Sequence, residues 1–239
     1  MSNNMIKHGS LFTGIGGFDL AAECAGIETS WSVEWSEYCR LVNKINFPEV
    51  TQYADITQID PSSLSRVDII SGGFPCQPFS STGLRKGWAD DRALWPYMLN
   101  IIAKIRPTWV IGENVAGFIG LGLDESIYDL ETIGYEVVPF VLPAYAANAL
   151  HKRDRVWIVA HTECKNESAH FGRPCATDRL SAKAVMGDGV PRIFEPPVLR
   201  AIDGVPGQMD QLRCYGNAIV PQIAYQIFCI IAKIERSYE

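Results

Sequence analysis

Three stretches of this 239-residue chain, and one isolated carboxylate, hold the side chains best suited to chemistry. Cys76 stands between Pro75 and Gln77, after the paired glycines Gly72 and Gly73. A free thiol titrates near ~8.5, and neighbouring cations raise its thiolate fraction and make it a nucleophile. Without such neighbours a lone cysteine is a small buried hydrophobe. Glu113, beside Asn114, offers an acid that could protonate a ring nitrogen; read singly, it could equally be a helix cap or a turn residue. Phe12-Thr13-Gly14-Ile15-Gly16-Gly17 is a glycine-rich turn, which could also be a plain tight turn without a ligand. Counted from Gly14, a dinucleotide fingerprint needs a third glycine where Asp19 stands, so the NAD pattern fails. Glu34 lies 17 residues beyond Gly17, where a carboxylate can accept from both hydroxyls of a ribose. The loop has no phosphate-binding lysine, so a nucleoside-like cation such as S-adenosylmethionine suits it better than a dinucleotide.

Short apolar runs alternating with helical patterns must position these groups. Strands are expected at residues 10–12, 31–34, 67–71, 109–111, 135–142 and 155–160. Helices are expected at 18–25, 38–45 and 94–105, the last stopping before Pro107. A final helix over 217–234 places Ile219, Ile223, Ile227, Ile230 and Ile234 near one face, with Asn217 as its N-cap. Strand–helix alternation at this spacing predicts an α/β fold, a mostly parallel sheet with helices on both faces. Ligands of such sheets sit outside the carboxyl ends of the strands, where all four groups fall.

Composition narrows the classes further. Hydrophobic residues make up 47% and charged residues 20%, which fits a folded domain and is too apolar for disorder. No apolar run approaches the roughly 20 residues of a membrane helix, and the first residues lack the apolar core of a signal peptide. A cytoplasmic protein without membrane contact is expected. Seven cysteines without a CxxC argue against a disulfide framework. His161, Cys164, His170 and Cys175 match no usual zinc spacing, so no metal is expected. The net charge is −6, but residues 1–150 carry −8 while residues 151–213 carry +2. The later segment could face a polyanion.

The glycine turn, Gly73-Phe74-Pro75-Cys76-Gln77-Pro78, Glu113-Asn114-Val115, His151-Lys152-Arg153-Asp154-Arg155 and Gly216-Asn217-Ala218-Ile219-Val220-Pro221 occur in this order. Together they resemble the ordered motifs of the C5-cytosine DNA methyltransferases, over nearly the whole chain. The resemblance implies a Rossmann-like S-adenosylmethionine-dependent fold, with S-adenosylhomocysteine as product and double-stranded DNA as partner. It implies Cys76 as the thiolate that adds to C6 of a flipped cytosine, Glu113 as the acid at N3, and Arg153 and Arg155 holding the base. For the cofactor it implies Phe12, Gly14, Ile15, Gly17, Glu34, Trp35, Asp55, Ile56, Pro75, Leu94, Asn217 and Ala218. Ser80, Thr82, Arg85 and Lys86 would contact DNA and close over the base.

The chain departs from that family's pattern in three places: His151 replaces a usual glutamine, Ala218 a usual serine, and only 60 residues (156–215) separate Arg155 from Gly216. The expected organisation is a catalytic domain over 1–160, a reduced target-recognition segment over 161–212 and a returning helix over 213–239. Arg173, Arg179, Lys183 and Arg192 are the candidate readers of sequence. The compact arrangement resembles that of phage and prophage members, implying a monomer in a bacterial or phage-infected cell and a link to restriction-modification. Two alternatives share these motifs: an idle DNA- or cofactor-binding relative, and an RNA cytosine methyltransferase of the same architecture. The complete set of Cys76, Glu113, Arg153 and Arg155 argues against the first, and nothing in the sequence favours RNA.

Overall fold

The computed structural model describes residues 5–75, 94–147, 153–162 and 217–237. Seven strands form one sheet: β1 (Lys7–Leu11), β2 (Glu28–Val33), β3 (Thr51–Tyr53), β4 (Ile69–Gly72), β5 (Trp109–Val115), β6 (Glu136–Pro143) and β7 (Asp154–His161). Their spatial order is β3-β2-β1-β4-β5-β7-β6. The β1–β2, β1–β4, β2–β3 and β4–β5 pairs are parallel, whereas β7 runs antiparallel to both β5 and β6. Order reverses between β1 and β4, and the crevice outside their carboxyl ends is where such sheets take ligands.

Central strands buried on both faces read as continuous apolar runs rather than alternating ones. β4 is buried throughout and β1 is buried after its first residue. β6 forms an edge, where Pro139 removes a ladder donor without cost.

Among the described residues five α-helices pack on this frame: α1 (Gly17–Cys24), α2 (Glu37–Asn46), α3 (Trp95–Ile105), α4 (Leu123–Thr132) and α5 (Pro221–Arg236). One face of the sheet packs Ile69, Trp109, Ile111, Trp157 and Val159 against Phe18, Ala21 and Ala22 of α1 and Ile223, Ile227, Phe228 and Ile231 of α5. The other packs Leu11, Ile70, Val110 and Ile158 against Met98, Ile101 and Ile102 of α3, with Leu123 and Leu130 of α4. Each large apolar side chain so buried contributes roughly 1.5–3 kcal/mol. No helix among the described residues is long and apolar enough to cross a membrane.

Several boundaries differ from the sequence reading, β5 because of a distant partner and the others because of local backbone. β5 does not stop at Ile111. Its parallel pairing with β4 ends at Gly112, but the ladder with β7 continues to Val115↔Arg155. Glu113 therefore sits inside a strand, not in the turn after it. Phe12 lies beyond β1 with φ 54, a left-handed backbone unfavourable to a bulky residue. Asn217 does not cap α5: Pro221 starts that helix and Val220 is its extended N-cap, as the residue before a proline prefers. α3 ends where expected, on Arg106 in the left-handed region just before Pro107.

Candidate active site

The loop after β1 is shaped by left-handed residues and by one buried carboxylate. Gly14 (φ 55) and Gly16 (φ 86) adopt a backbone favouring glycine, and the Gly16 amide donates to the Thr13 carbonyl at 2.9 Å. Asp19, 2% exposed on α1, accepts from Ser10 Oγ at 3.1 Å and from Thr13 Oγ1. Burial pushes its carboxyl up to about 6, against the opposing pull of those two hydroxyls.

Gly14 is held by both of its backbone polar groups. Its amide donates to Glu34 Oε2 at 2.8 Å, and its carbonyl accepts from Asn43 Nδ2 at 2.8 Å. Glu34 Oε1 takes the Ser36 amide at 2.8 Å, so the carboxylate is fixed while each oxygen keeps a lone pair for a ligand hydroxyl. A methyl built at Gly14 would meet nothing within 4 Å, so space lies open in front of the loop. Trp35, next to Glu34, leaves 75% of its surface exposed. Asp55, after β3, spends Oδ1 on the Thr57 amide (2.9 Å) and hydroxyl (2.8 Å). An open cradle, a fixed acceptor pair and an exposed indole fit an adenosyl group.

Other expected cofactor residues are placed differently. The Ile56 side chain is only 6% exposed and belongs to the core. Leu94 also packs against that core. Gly17 answers a packing need: a methyl there would come within 2.7 Å of Ile219 Cγ1. Pro75 is half-buried at the exit of β4, and Ile15 is half-buried in the glycine loop.

The second half of the site lies across β4, β5 and β7. Glu113, 7% exposed, receives Arg155 Nε at 2.9 Å on Oε1. Its Oε2 would be 3.5 Å from a methyl on Gly73, so the carboxyl lies alongside the stretch leading towards Cys76. Burial pushes the Glu113 carboxyl up to about 7, outweighing the attraction of Arg155 and Arg153. Arg153, with φ 28, donates from Nη2 to the Ala218 carbonyl at 2.8 Å. Burial and the nearby Arg155 charge lower its pKa. Asn114 points to the opposite face and donates from Nδ2 to the buried Phe74 carbonyl at 3.0 Å. The Phe74 ring is wedged against Trp95 and Phe118, with centroids 5.0 and 5.2 Å away.

Sequence reasoning missed Asn43, Asp19 and Asn114 as supports of the site. Asp19 gave a signal, being an acid on the otherwise apolar face of α1. Asn43 gave none. Cys76, Ser80, Thr82, Arg85 and Lys86 lie outside the described residues, as do His151, Cys164, His170, Cys175, Arg173, Arg179, Lys183 and Arg192. Among the described residues no group of three histidines, cysteines or carboxylates could hold a metal; His161 stacks on Trp109 at 4.4 Å.

A seven-stranded sheet with one antiparallel insertion, and a glycine loop after β1 facing an acidic residue just after the neighbouring β2, define the Rossmann-like methyltransferase class. The model of the C-5 cytosine-specific DNA methylases matches residues 6–195, and the chain belongs to that family. The Type II methyltransferase M.HhaI of Haemophilus parahaemolyticus is 34% identical over 170 residues, 69% of this chain and 52% of that protein. The chain thus spans about half the length of the curated relatives it matches. Among solved structures, a DNMT2 variant of Spodoptera frugiperda aligns at TM-score 0.57 and 26% identity, covering 71% of this chain and 53% of that one. Entamoeba histolytica methyltransferase EhMeth aligns at TM-score 0.68 over 97% of this chain and 99% of its own, and at 16% identity this speaks to the fold alone.

Proposed function

We propose that the protein transfers a methyl group from S-adenosylmethionine to C5 of a cytosine flipped out of double-stranded DNA, through a transient bond from Cys76 to C6. The observation that carries this reading is the buried Glu113 carboxyl, bridged to Arg155 and lying beside the Gly73 stretch that leads towards Cys76. Cytosine C5 is too electron-poor to attack an electrophile unaided. Addition of the Cys76 sulfur to C6 turns C5 into an enamine-like nucleophile, and a proton from Glu113 to N3 takes up the charge that forms on the ring. A carboxyl poised at about 7 can give that proton near neutrality and take it back. The cations of Arg153 and Arg155 favour the thiolate and the developing negative charge. The bound cofactor supplies the methyl as an electrophile on its sulfonium. After transfer a base removes the C5 proton and Cys76 is eliminated, restoring the aromatic ring. The stacked duplex hides C6, which is why the base must leave it.

Glu34 would hold the ribose hydroxyls, with the Gly14 cradle, Trp35, Asp55, Pro75, Asn217 and Ala218 around the rest of the cofactor. Residues 1–160 act as the catalytic unit, 161–212 as a small recognition segment and 213–239 as the returning helix, working as a monomer in a bacterial cytoplasm. Incubation with tritiated cofactor and duplex DNA, with Cys76→Ser as control, tests the reading. Label in 5-methylcytosine, lost in the variant, is expected; no label in any DNA overturns it. A duplex carrying 5-fluorocytosine should leave an adduct on the Cys76 peptide in mass spectra, and methylation without that adduct overturns the covalent step.

A further inference from the structure

We infer that Arg153 has a second task, as a positioning residue that ties the base pocket to the cofactor pocket through the backbone of Ala218. The inference rests on the cofactor reading above and goes beyond it, because that reading gives Arg153 no part in holding the cofactor.

The tie is made of one hydrogen bond and two close approaches. Arg153 Nη2 donates to the Ala218 carbonyl at 2.8 Å, across 65 residues of sequence. The next residue, Ile219, lies against Gly17, where a methyl would come within 2.7 Å of Cγ1. It also faces Gly73, where a methyl would stand 3.6 Å from Cγ2. Residues 218–219 are thus gripped by the start of α1 just beyond the glycine loop, by the exit of β4, and by a guanidinium from the start of β7. The charges of Arg155 and Glu113 also act on this guanidinium. Arg153 adopts φ 28, a backbone unfavourable to a non-glycine residue and kept only where the surroundings over-determine it.

Protonation or displacement of Glu113 by a base therefore changes the field in which Arg153 holds Ala218, and movement of Ala218 changes the wall of the cofactor pocket. Linkage makes the effect reciprocal: base and cofactor each alter affinity for the other by one common factor. Arg155 is engaged otherwise, by the Glu113 carboxylate of β5 and by the Asp154 carbonyl of β7.

Calorimetric titration of the full chain with S-adenosylhomocysteine, in the absence of DNA, separates this role from base holding. Arg153→Met is expected to raise the dissociation constant about tenfold, as loss of a charge-assisted hydrogen bond would. Arg153→Lys, which keeps one donor, should raise it about threefold and serves if the methionine variant does not fold. Arg155→Lys should stay within about twofold of the native value. A duplex carrying the site found by bisulfite sequencing should change the native affinity for S-adenosylhomocysteine by a factor that disappears in Arg153→Lys. Purely structural loss would lower the melting temperature without moving either constant. Native affinity in both folded Arg153 variants overturns the inference. Failure of the native protein to bind S-adenosylhomocysteine is a different result, which overturns the cofactor reading itself.

Discussion

Replacing Glu113 by glutamine should make the difference in stability between native and variant proteins depend on pH, with a sign that burial fixes. The carboxyl titrates at 4.5 when exposed and at about 7 in the folded protein, because removal from water outweighs Arg155 and Arg153. Between those two values the folded state binds more protons than the unfolded one, so its stability falls as pH rises. The stabilising contribution of the neutral carboxyl is fully present below about 4.5 and is lost as pH passes through about 7. At 1.36 kcal/mol for each tenfold change in proton affinity, the loss is ~3 kcal/mol. Glutamine keeps the shape and cannot titrate. Urea unfolding of both proteins at pH 5 and pH 8 should therefore show the native protein losing ~2.5 kcal/mol relative to Glu113→Gln over that span, since the unfolded carboxyl is already partly ionised at pH 5. Asp19, raised to about 6 by burial, titrates with the same sign but is present in both proteins and cancels. A difference that is flat with pH, or that grows in favour of the native protein at pH 8, refutes the account: the Arg155 bridge would then outweigh desolvation and Glu113 would be a fixed carboxylate.

Asn43→Leu should raise the S-adenosylhomocysteine dissociation constant about fivefold by releasing the Gly14 carbonyl. Its melting temperature should hold or rise, since Asn43 Oδ1 is buried without a partner among the described residues. Gly14→Ala should cost about 1 kcal/mol of stability from its left-handed φ of 55 and also weaken cofactor binding, since the methyl enters the open cradle. Gly17→Ala should weaken cofactor binding by pushing on Ile219, and adding Ile219→Ala should recover part of that loss in the same titration. Asn114→Ala frees the Phe74 carbonyl and should lower kcat for methyl transfer at least tenfold, leaving the S-adenosylhomocysteine constant within about twofold of native.

Much of this arrangement was legible in the residues. The glycine turn, the strand before Gly72-Gly73 and the halt before Pro107 carry local chemistry that tertiary context did not override. Where the sequence reading fell short, the cause was non-local pairing. The length of β5 depends on a partner 40 residues later in the chain, which no window around Ile111 contains. β3 is three residues long, too short for any period to show. Asn43 resembles any polar helix residue until the fold brings Gly14 to it from 29 positions away. Ile56 and Leu94 are motif positions whose surroundings only the fold reveals: Ile56 is buried in the core and Leu94 packs against it, partly buried.

The antiparallel insertion of β7 explains why the Glu113 carboxyl and the Arg155 guanidinium can meet. In the β5–β7 ladder Glu113 faces Trp157 and Val115 faces Arg155, so Glu113 and Arg155 are diagonal neighbours on one side of the sheet. That side also holds α1, α5 and Ile219, which places the acid towards the cofactor segment. Because a strand alternates, Asn114 must face the other side, where Phe74 packs with α3. Two consecutive residues thus serve opposite faces: Glu113 turns towards α1, α5 and Ile219, and Asn114 holds the Phe74 carbonyl. A parallel β7 would emerge with its carboxyl end at this rim, and residues 153–155 would begin at the far end of the sheet. Reversal brings the arginines in at the start of the strand, beside the carboxyl ends of β4 and β5.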